Sequence, residues 1–378
     1  MTGLRLRGIT WDHVRGLGGL RATADAFRNV RPAVEVEWTA RSLQSFADQS
    51  VDELARQFDL LYIDHPAIGY AVARRCLAPL DEHLDPAVLE DQAANSVGRS
   101  AESYEWEGHR WALATDAAAQ VAAYRPDLLE LAGVAVPGTW DDVLAAASAL
   151  RAAGLWMAFP AIPVDAICAF LAMCGTELPS REAGRAALEL LREVVACSHP
   201  SSLEWNPPRM LEHMTTADEV AYCPAAFGYS NYARPGFRPH LVRFAGGPAG
   251  TLGGAGLAVS AHGAAVQEAV RYAAFVADAE VQRTVYFQGG GQPGHRSAWT
   301  DDAVNEASTG FFRDTLDAMD AAYLRPRHDG FLGFQQTAGQ LVHRNLREGE
   351  GGDAGAVLDA IEAEYRDSLA VRTGSDRG

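Results

Sequence analysis

The sequence predicts an α/β fold in two domains, and three observations carry that reading. The chain has 378 residues, and at about 150 residues per domain this favours two compact units. Its first quarter alternates strand-like and helix-like patterns; strands separated by single helices point to a parallel sheet, because each parallel crossover needs its own connection. Its most apolar stretch, 143–174, is interrupted by Arg151, Pro160, Pro163 and Asp165, well short of the roughly 20 uninterrupted apolar residues of a membrane span. No membrane insertion is expected.

Each element has its own signal. Leu4 to Thr10 and Val34 to Trp38 read as strands, Gly19 to Asn29 and Leu43 to Gln57 as helices, and Leu60 to Ile63 as a third strand. Ligands of such sheets bind beyond the carboxyl ends of the strands, where the loops here read Trp11-Asp12-His13, Thr39 to Ser42 and Asp64-His65-Pro66. A strand-like stretch then passes through Thr115, Asp116 and Val121 to Tyr124, and a helix follows around Pro126 to Ala132. Thr139 is placed to cap the helix carrying Val143 to Ala153. Arg181 to Cys197 repeats apolar residues at Ala187, Leu190, Leu191 and Val194, the spacing of a helix face. Leu241 to Phe244 reads as a strand, and six glycines and a proline make 246–256 flexible. The strand Gly256 to Ser260 and the helix Ala264 to Val276 form a βα unit like those of the first segment. Phe311 to Leu369 reads as mostly helical, with a frayed tail over 371–378.

Composition excludes several functions. All 32 Lys-plus-Arg positions are Arg, so Schiff-base chemistry, covalent pyridoxal phosphate and a P-loop lysine are ruled out. The net charge of −17 disfavours nucleic acid as a partner. Cys76, Cys168, Cys174, Cys197 and Cys223 are odd in number, contain no CxxC and have no His at ligand spacing. Reduced, mostly buried thiols are therefore expected, with no metal and no cofactor. Met1 to Thr10 has no apolar leader core, so the chain as it stands is expected in the cytosol, and outside the cell or tethered to the membrane only if a leader has been removed. Gly16-Leu17-Gly18-Gly19 imitates a dinucleotide fingerprint, but Leu20, Arg21 and Ala22 stand where the third glycine would fall. These glycines read as a cleft loop. Gly228-Tyr229-Ser230-Asn231-Tyr232 lacks the closing glycine of a nucleophile elbow.

Several segments resemble a known family. The opening strand-helix series, Cys76-Leu77-Ala78-Pro79-Leu80-Asp81, Tyr124-Arg125-Pro126-Asp127-Leu128-Leu129 and Pro137-Gly138-Thr139-Trp140-Asp141-Asp142 occur here in the order found in the extracellular solute-binding proteins of carbohydrate ABC transporters, the group that includes maltose-binding protein. Gly253 to Ser260 and Gln292-Pro293-Gly294-His295-Arg296 extend the resemblance over nearly the whole chain. It implies a periplasmic-binding-protein-like fold of two interleaved α/β lobes with a ligand cleft at the hinge. One lobe would comprise 1–113 plus 250–305, the other, more helical, 117–248 plus 309–370. The implied partners are a small-molecule ligand and, if the protein is exported, an ABC permease.

The candidate ligand-binding residues are Trp11, Asp12, His13, Arg41, Ser42, Asp64, His65, Asp116, Tyr229, Asn231, Gln292, Arg296 and Arg325. Trp11 offers an aromatic platform at the end of the first strand, or a ring buried beside an N-cap. Asp12-His13 and Asp64-His65 are carboxylate-imidazole pairs that orient polar groups or move protons, or that serve as turn caps. Arg41 and Ser42 suit an anionic or polyol group. Asp116, at the implied first crossing between lobes, reaches either a ligand hydroxyl or an Arg of the opposite lobe. The segment Tyr222 to Tyr232 joins flat apolar faces to hydrogen-bonding edges, as sugar rings require, and the resemblance singles out Tyr229 and Asn231. Gln292 and Arg296 follow three glycines that let backbone approach a ligand. Arg325 can hold a carboxylate or phosphate, or join a structural ion pair. The expected function is clamping of a small polar, carbohydrate-like solute. The alternative is a cytosolic enzyme using Asp12, His13, Asp64, His65 and Asp116 for acid-base or metal-assisted chemistry.

Overall fold

A computed structural model describes residues 3–42 and 50–371. Three parallel strands form the start of the sheet: β1 (Leu4–Trp11), β2 (Val34–Arg41) and β3 (Leu60–Ile63), in the order β2-β1-β3. Helix Val14–Val30 connects the first two. Of the helix expected over 43–57, residues 43–49 lie outside the described residues, and Val51–Ala55 is helical. A small hairpin, β4 (Glu105–Trp106) and β5 (His109–Arg110), precedes the longest strand, β6 (Ala112–Tyr124).

The stretch read as short and strand-like is this one continuous strand of 13 residues, about 40 Å long at 3.3 Å per residue. Alanine supplies seven of its residues, so both faces accept close neighbours. β6 pairs with β10 (Leu252–Val259) over Ala112 to Ala119, and with β8 (Val220–Phe227) over Gln120 to Tyr124. It thus belongs to two half-sheets, β2-β1-β3-β10-β6 and β6-β8-β7, with β7 (Trp156–Met157) at the edge and β9 (Arg243–Ala245) also paired to β6.

β10 departs from the expected parallel βα unit. It runs antiparallel to both β3 and β6, because the chain returns through the hinge from the second half-sheet and so enters the first in the reverse direction. The glycines at 16–19 also differ from expectation: they lie inside helix Val14–Val30 rather than in a loop. A Cβ on Gly16 would overlap the Trp11 ring, one on Gly18 the carbonyl oxygen of Gly289, and one on Gly19 the ring of Tyr286. Close helix packing, not a turn, requires them.

Both half-sheets are covered on both faces, as the side-chain alternation of a strand demands. Leu60 and Tyr62 of β3 join Leu6, Leu20 and Phe27 in one core, while Leu61 and Ile63 join Ile9 and Ile68 in another. In the second half, Ala122 packs with Phe170, Leu188 and Leu191, whereas Val121 and Ala123 face Met210, Phe244 and Phe312. Helix Pro126–Ala132 forms as expected, and Thr139 makes a full capping box with Asp142 at the start of helix Trp140–Ala152. The cysteines are free, and Cys76, Cys168 and Cys223 are buried. Among the described residues no helix is long and apolar enough to cross a membrane. The tail expected to fray lies, over 372–378, outside the described residues.

Candidate functional site

The carboxyl ends of β1 and β3 meet the second half-sheet along a seam, and the polar residues there form two groups. The first is built on Arg15, a residue that motif and loop reading did not single out. It sits in the first turn of helix Val14–Val30, is 4% exposed, and bonds Asp116 of β6 through both carboxylate oxygens at 2.9 and 2.5 Å. Its third bond, 2.9 Å, goes to the carbonyl of Gly228, just past β8. The guanidinium also lies 4.7 Å from the centre of the Tyr229 ring. Burial opposes its charge, but Asp116 outweighs burial and holds it firmly protonated.

Around this pair, Trp11 ends β1 and stacks on Tyr62 at 5.5 Å. His13 caps the helix by accepting from the Arg15 backbone N–H, and its ring meets Tyr229 edge-on at 4.8 Å. Burial lowers the His13 pKa to about 4, helped by Arg15 and Arg238, so the ring is neutral at pH 7. Asn231 is buried and donates to the carbonyl of Gly290 at 3.0 Å.

The second group centres on Asp64, at the end of β3. Arg325 bonds both of its oxygens, at 3.0 and 2.9 Å, and also donates to Gln335 at 2.8 Å. Burial pushes the Asp64 carboxyl up, but Arg325, with His65, holds it well below the usual carboxylate range. His65 is wholly buried, with Nδ1 3.2 Å from Asp64. Burial, with Arg325 adding repulsion, lowers its pKa to about 4. Beside Arg325 lies Asp165, another residue missed as a site candidate, in the first turn of helix Pro163–Cys174. It is 3% exposed, its Oδ2 meets no donor among the described residues, and burial raises its pKa to about 8.

The other candidates fall around or away from these groups. Asp12 is exposed at the rim, its N–H bonded to the carbonyl of Arg41, which is in register with Trp11. Arg41 is half-buried, which lowers its pKa to about 10, and Ser42 is exposed beside it. Gln292 is buried, with its amide engaged by the Ser230 N–H and the carbonyls of Ala117 and Gly228. It fastens the hinge strand to the segment after β8. Arg296 is not brought to either group; it pairs with Asp320. The five residues of the acid-base reading are divided: Asp116 is held by Arg15, Asp64 by Arg325, and His13 by its capping role.

Two half-sheets sharing the long strand β6, with a charged and aromatic seam between them, define a two-lobed solute-binding fold with its cleft at the hinge. The chain belongs to the bacterial extracellular solute-binding protein family, whose model matches residues 33–309. Solved structures share the fold at low identity. Maltose-bound MalE3 of T. maritima is 19% identical, with 97% of this chain and 100% of that one covered at a TM-score of 0.82. A solute-binding protein of an ABC transporter from Agrobacterium radiobacter K84, in complex with ribitol, is 19% identical, with 98% and 99% covered at 0.79. The GacH receptor of Streptomyces glaucescens GLA.O, solved unliganded and with acarbose, is 17% identical, with 98% and 99% covered at 0.78. Comparison with curated protein sequences gives no match.

Proposed function

We propose that this protein encloses one small polyhydroxylated solute, a sugar or sugar alcohol, in the seam between its lobes. The observation that carries this reading is the pairing of the Trp11 and Tyr229 rings with the ion pairs Arg15–Asp116 and Asp64–Arg325 in that seam. The rings border the seam while packed on Tyr62, Gly16 and Arg15, and the fixed charged groups beside them suit the hydroxyls of a sugar. Asp165, buried with no partner for Oδ2 and protonated at neutral pH, can donate to a ligand hydroxyl. Maltose, ribitol and acarbose in the structural relatives support the same solute class.

In this reading the lobes are 1–113 plus 250–305 and 117–248 plus 309–370, and they close about β6 and β10. The partner that takes over the solute is an ABC permease. That role requires the protein to act outside the cytoplasmic membrane, the placement expected only if a leader has been removed, and cell fractionation distinguishes it from the cytosolic expectation. For the binding itself, titration calorimetry against mono- and disaccharides and polyols is the test. One-site binding near 1 μM, about −8 kcal/mol, is expected. No saturable heat at millimolar solute would refute the reading.

A further inference from the structure

We propose that His199, His213 and Glu219 bind one divalent transition-metal ion of the zinc type, at the end of the second lobe remote from the cleft. The site is independent of the solute reading. One ligand atom from each residue lies within 4.8 Å of the other two. Glu219 Oε1 is 2.6 Å from His213 Nε2 and 3.5 Å from His199 Nε2. Two imidazole nitrogens and a carboxylate oxygen are the donor types of a three-ligand zinc set, and since tetrahedral donors lie about 3.4 Å apart, the Glu219–His213 contact would open by less than about 1 Å to admit the ion.

The three residues come from separate elements that the sheet edge holds in place. The His199 N–H donates to the carbonyl of Met157, and the Trp156 N–H to the carbonyl of Glu219, so two ligand residues hang from β7. His213 lies on helix Pro207–Thr216, which is anchored by the buried Met210, Leu211 and Met214. Trp205 stacks on His199 at 4.6 Å and lies 4.7 Å from His213, which limits ring rotation. Glu219 directly precedes β8, whereas Gly228, the contact of Arg15, directly follows it. The eight residues of that strand put about 25 Å between the two sites.

Without metal, the two imidazoles share one carboxylate oxygen; a cation on Nε2 takes the place of those protons, which move to Nδ1. At His199 that shift gives up the bond Nδ1 accepts from the Ser201 N–H at 3.2 Å. The preference is for borderline cations such as Zn2+ over Mg2+ or Ca2+, since two of the three donors are nitrogen.

The test is calorimetric titration of the full chain with ZnCl2 in chelator-free buffer, repeated with MgCl2. One-site Zn2+ binding in the micromolar range is expected, with no Mg2+ heat, and a rise in Tm of several degrees at saturating Zn2+. Glu219→Gln and His213→Gln should each weaken Zn2+ more than about 100-fold, exceeding the 10- to 100-fold typical of residues that only orient a ligand. The Glu219 side chain is 46% exposed, so Glu219→Gln keeps the fold, which circular dichroism verifies. Absent Zn2+ binding below about 100 μM, equal Mg2+ binding, or unchanged Zn2+ affinity in both variants would each overturn the proposal.

Discussion

Arg15 shows how one side chain commits a buried carboxylate. Its guanidinium and the Asp116 carboxylate are 4% and 0% exposed, and neither charge has another ionic partner of comparable geometry among the described residues. Arg15→Met would leave the buried Asp116 carboxyl without its counter-charge, and burial would drive it to take up a proton, at a cost of about 3–5 kcal/mol. Urea unfolding measures it, and the double variant Arg15→Met, Asp116→Asn should recover part of the loss. Asp165 gives a prediction in pH. Its folded pKa, raised by burial from 3.8 to about 8, means the folded chain keeps a proton that the unfolded chain loses across this window. Stability from this group is therefore full at low pH and falls as pH rises through about 4 to 8. Asp165→Asn removes the effect, so its advantage over wild type should grow to roughly 5 kcal/mol at pH 8. A difference that stays flat with pH, in paired urea melts, would contradict the assignment. Both residues were present in the sequence patterns without being legible as site residues. Arg15 stands 101 positions from Asp116, and only tertiary pairing reveals it, although its place just after Trp11-Asp12-His13 was the available signal. Asp165 was noticed as an interruption of an apolar stretch; a lone carboxylate in so apolar a run is itself the mark of a buried acid.

At the scale of elements, the legible features were those set by local chemistry. Thr139 with Asp142 fixes a helix start, Pro126 opens another, and Leu60 to Ile63 has the short, wholly apolar run of a strand buried on both faces. Direction and length of β10 and β6 were not legible, because they depend on where the chain re-crosses the hinge rather than on side-chain period. The glycines of helix Val14–Val30 misled for a related reason: glycine signals a turn locally, yet here it makes room for a distant neighbour. That gives an element-level prediction. Gly18→Ala places a methyl group against the carbonyl of Gly289, so the helix must move off the 289–291 segment. A loss of about 1–3 kcal/mol is expected despite alanine's better helix propensity. An unchanged or higher Tm would show that the helix does not need this contact.

In the solute-enclosing reading, closure is a property of the whole molecule. β6 runs through both half-sheets, and β10, its partner in the first, breaks register with it between Ala255 and Gly256, opposite Asp116 and Ala114. Gly254, at φ +103, has Asp116 backbone where a Cβ would stand, so the crossing pair is irregular at the seam and tolerates no side chain there. Around this pivot, Arg325 on Asp64 fastens the end of β3 to the segment that follows helix Phe311–Ala321. Such a bond acts on the balance between open and closed forms as well as on folding. Asp64→Asn keeps the shape and removes the charge, and should shift the unliganded protein toward the open form. Its radius of gyration in small-angle scattering would then exceed that of wild type. The Asp64→Asn and Arg325→Gln changes should also couple by about 1–3 kcal/mol in a double-mutant cycle on stability. Where solute is bound, apparent affinity falls in proportion to the closed fraction, about tenfold for a tenfold drop in that fraction. The scattering of the unliganded protein separates the two effects: a weaker affinity with unchanged dimensions would assign Asp64 to ligand contact alone, whereas expansion without ligand assigns it to the latch.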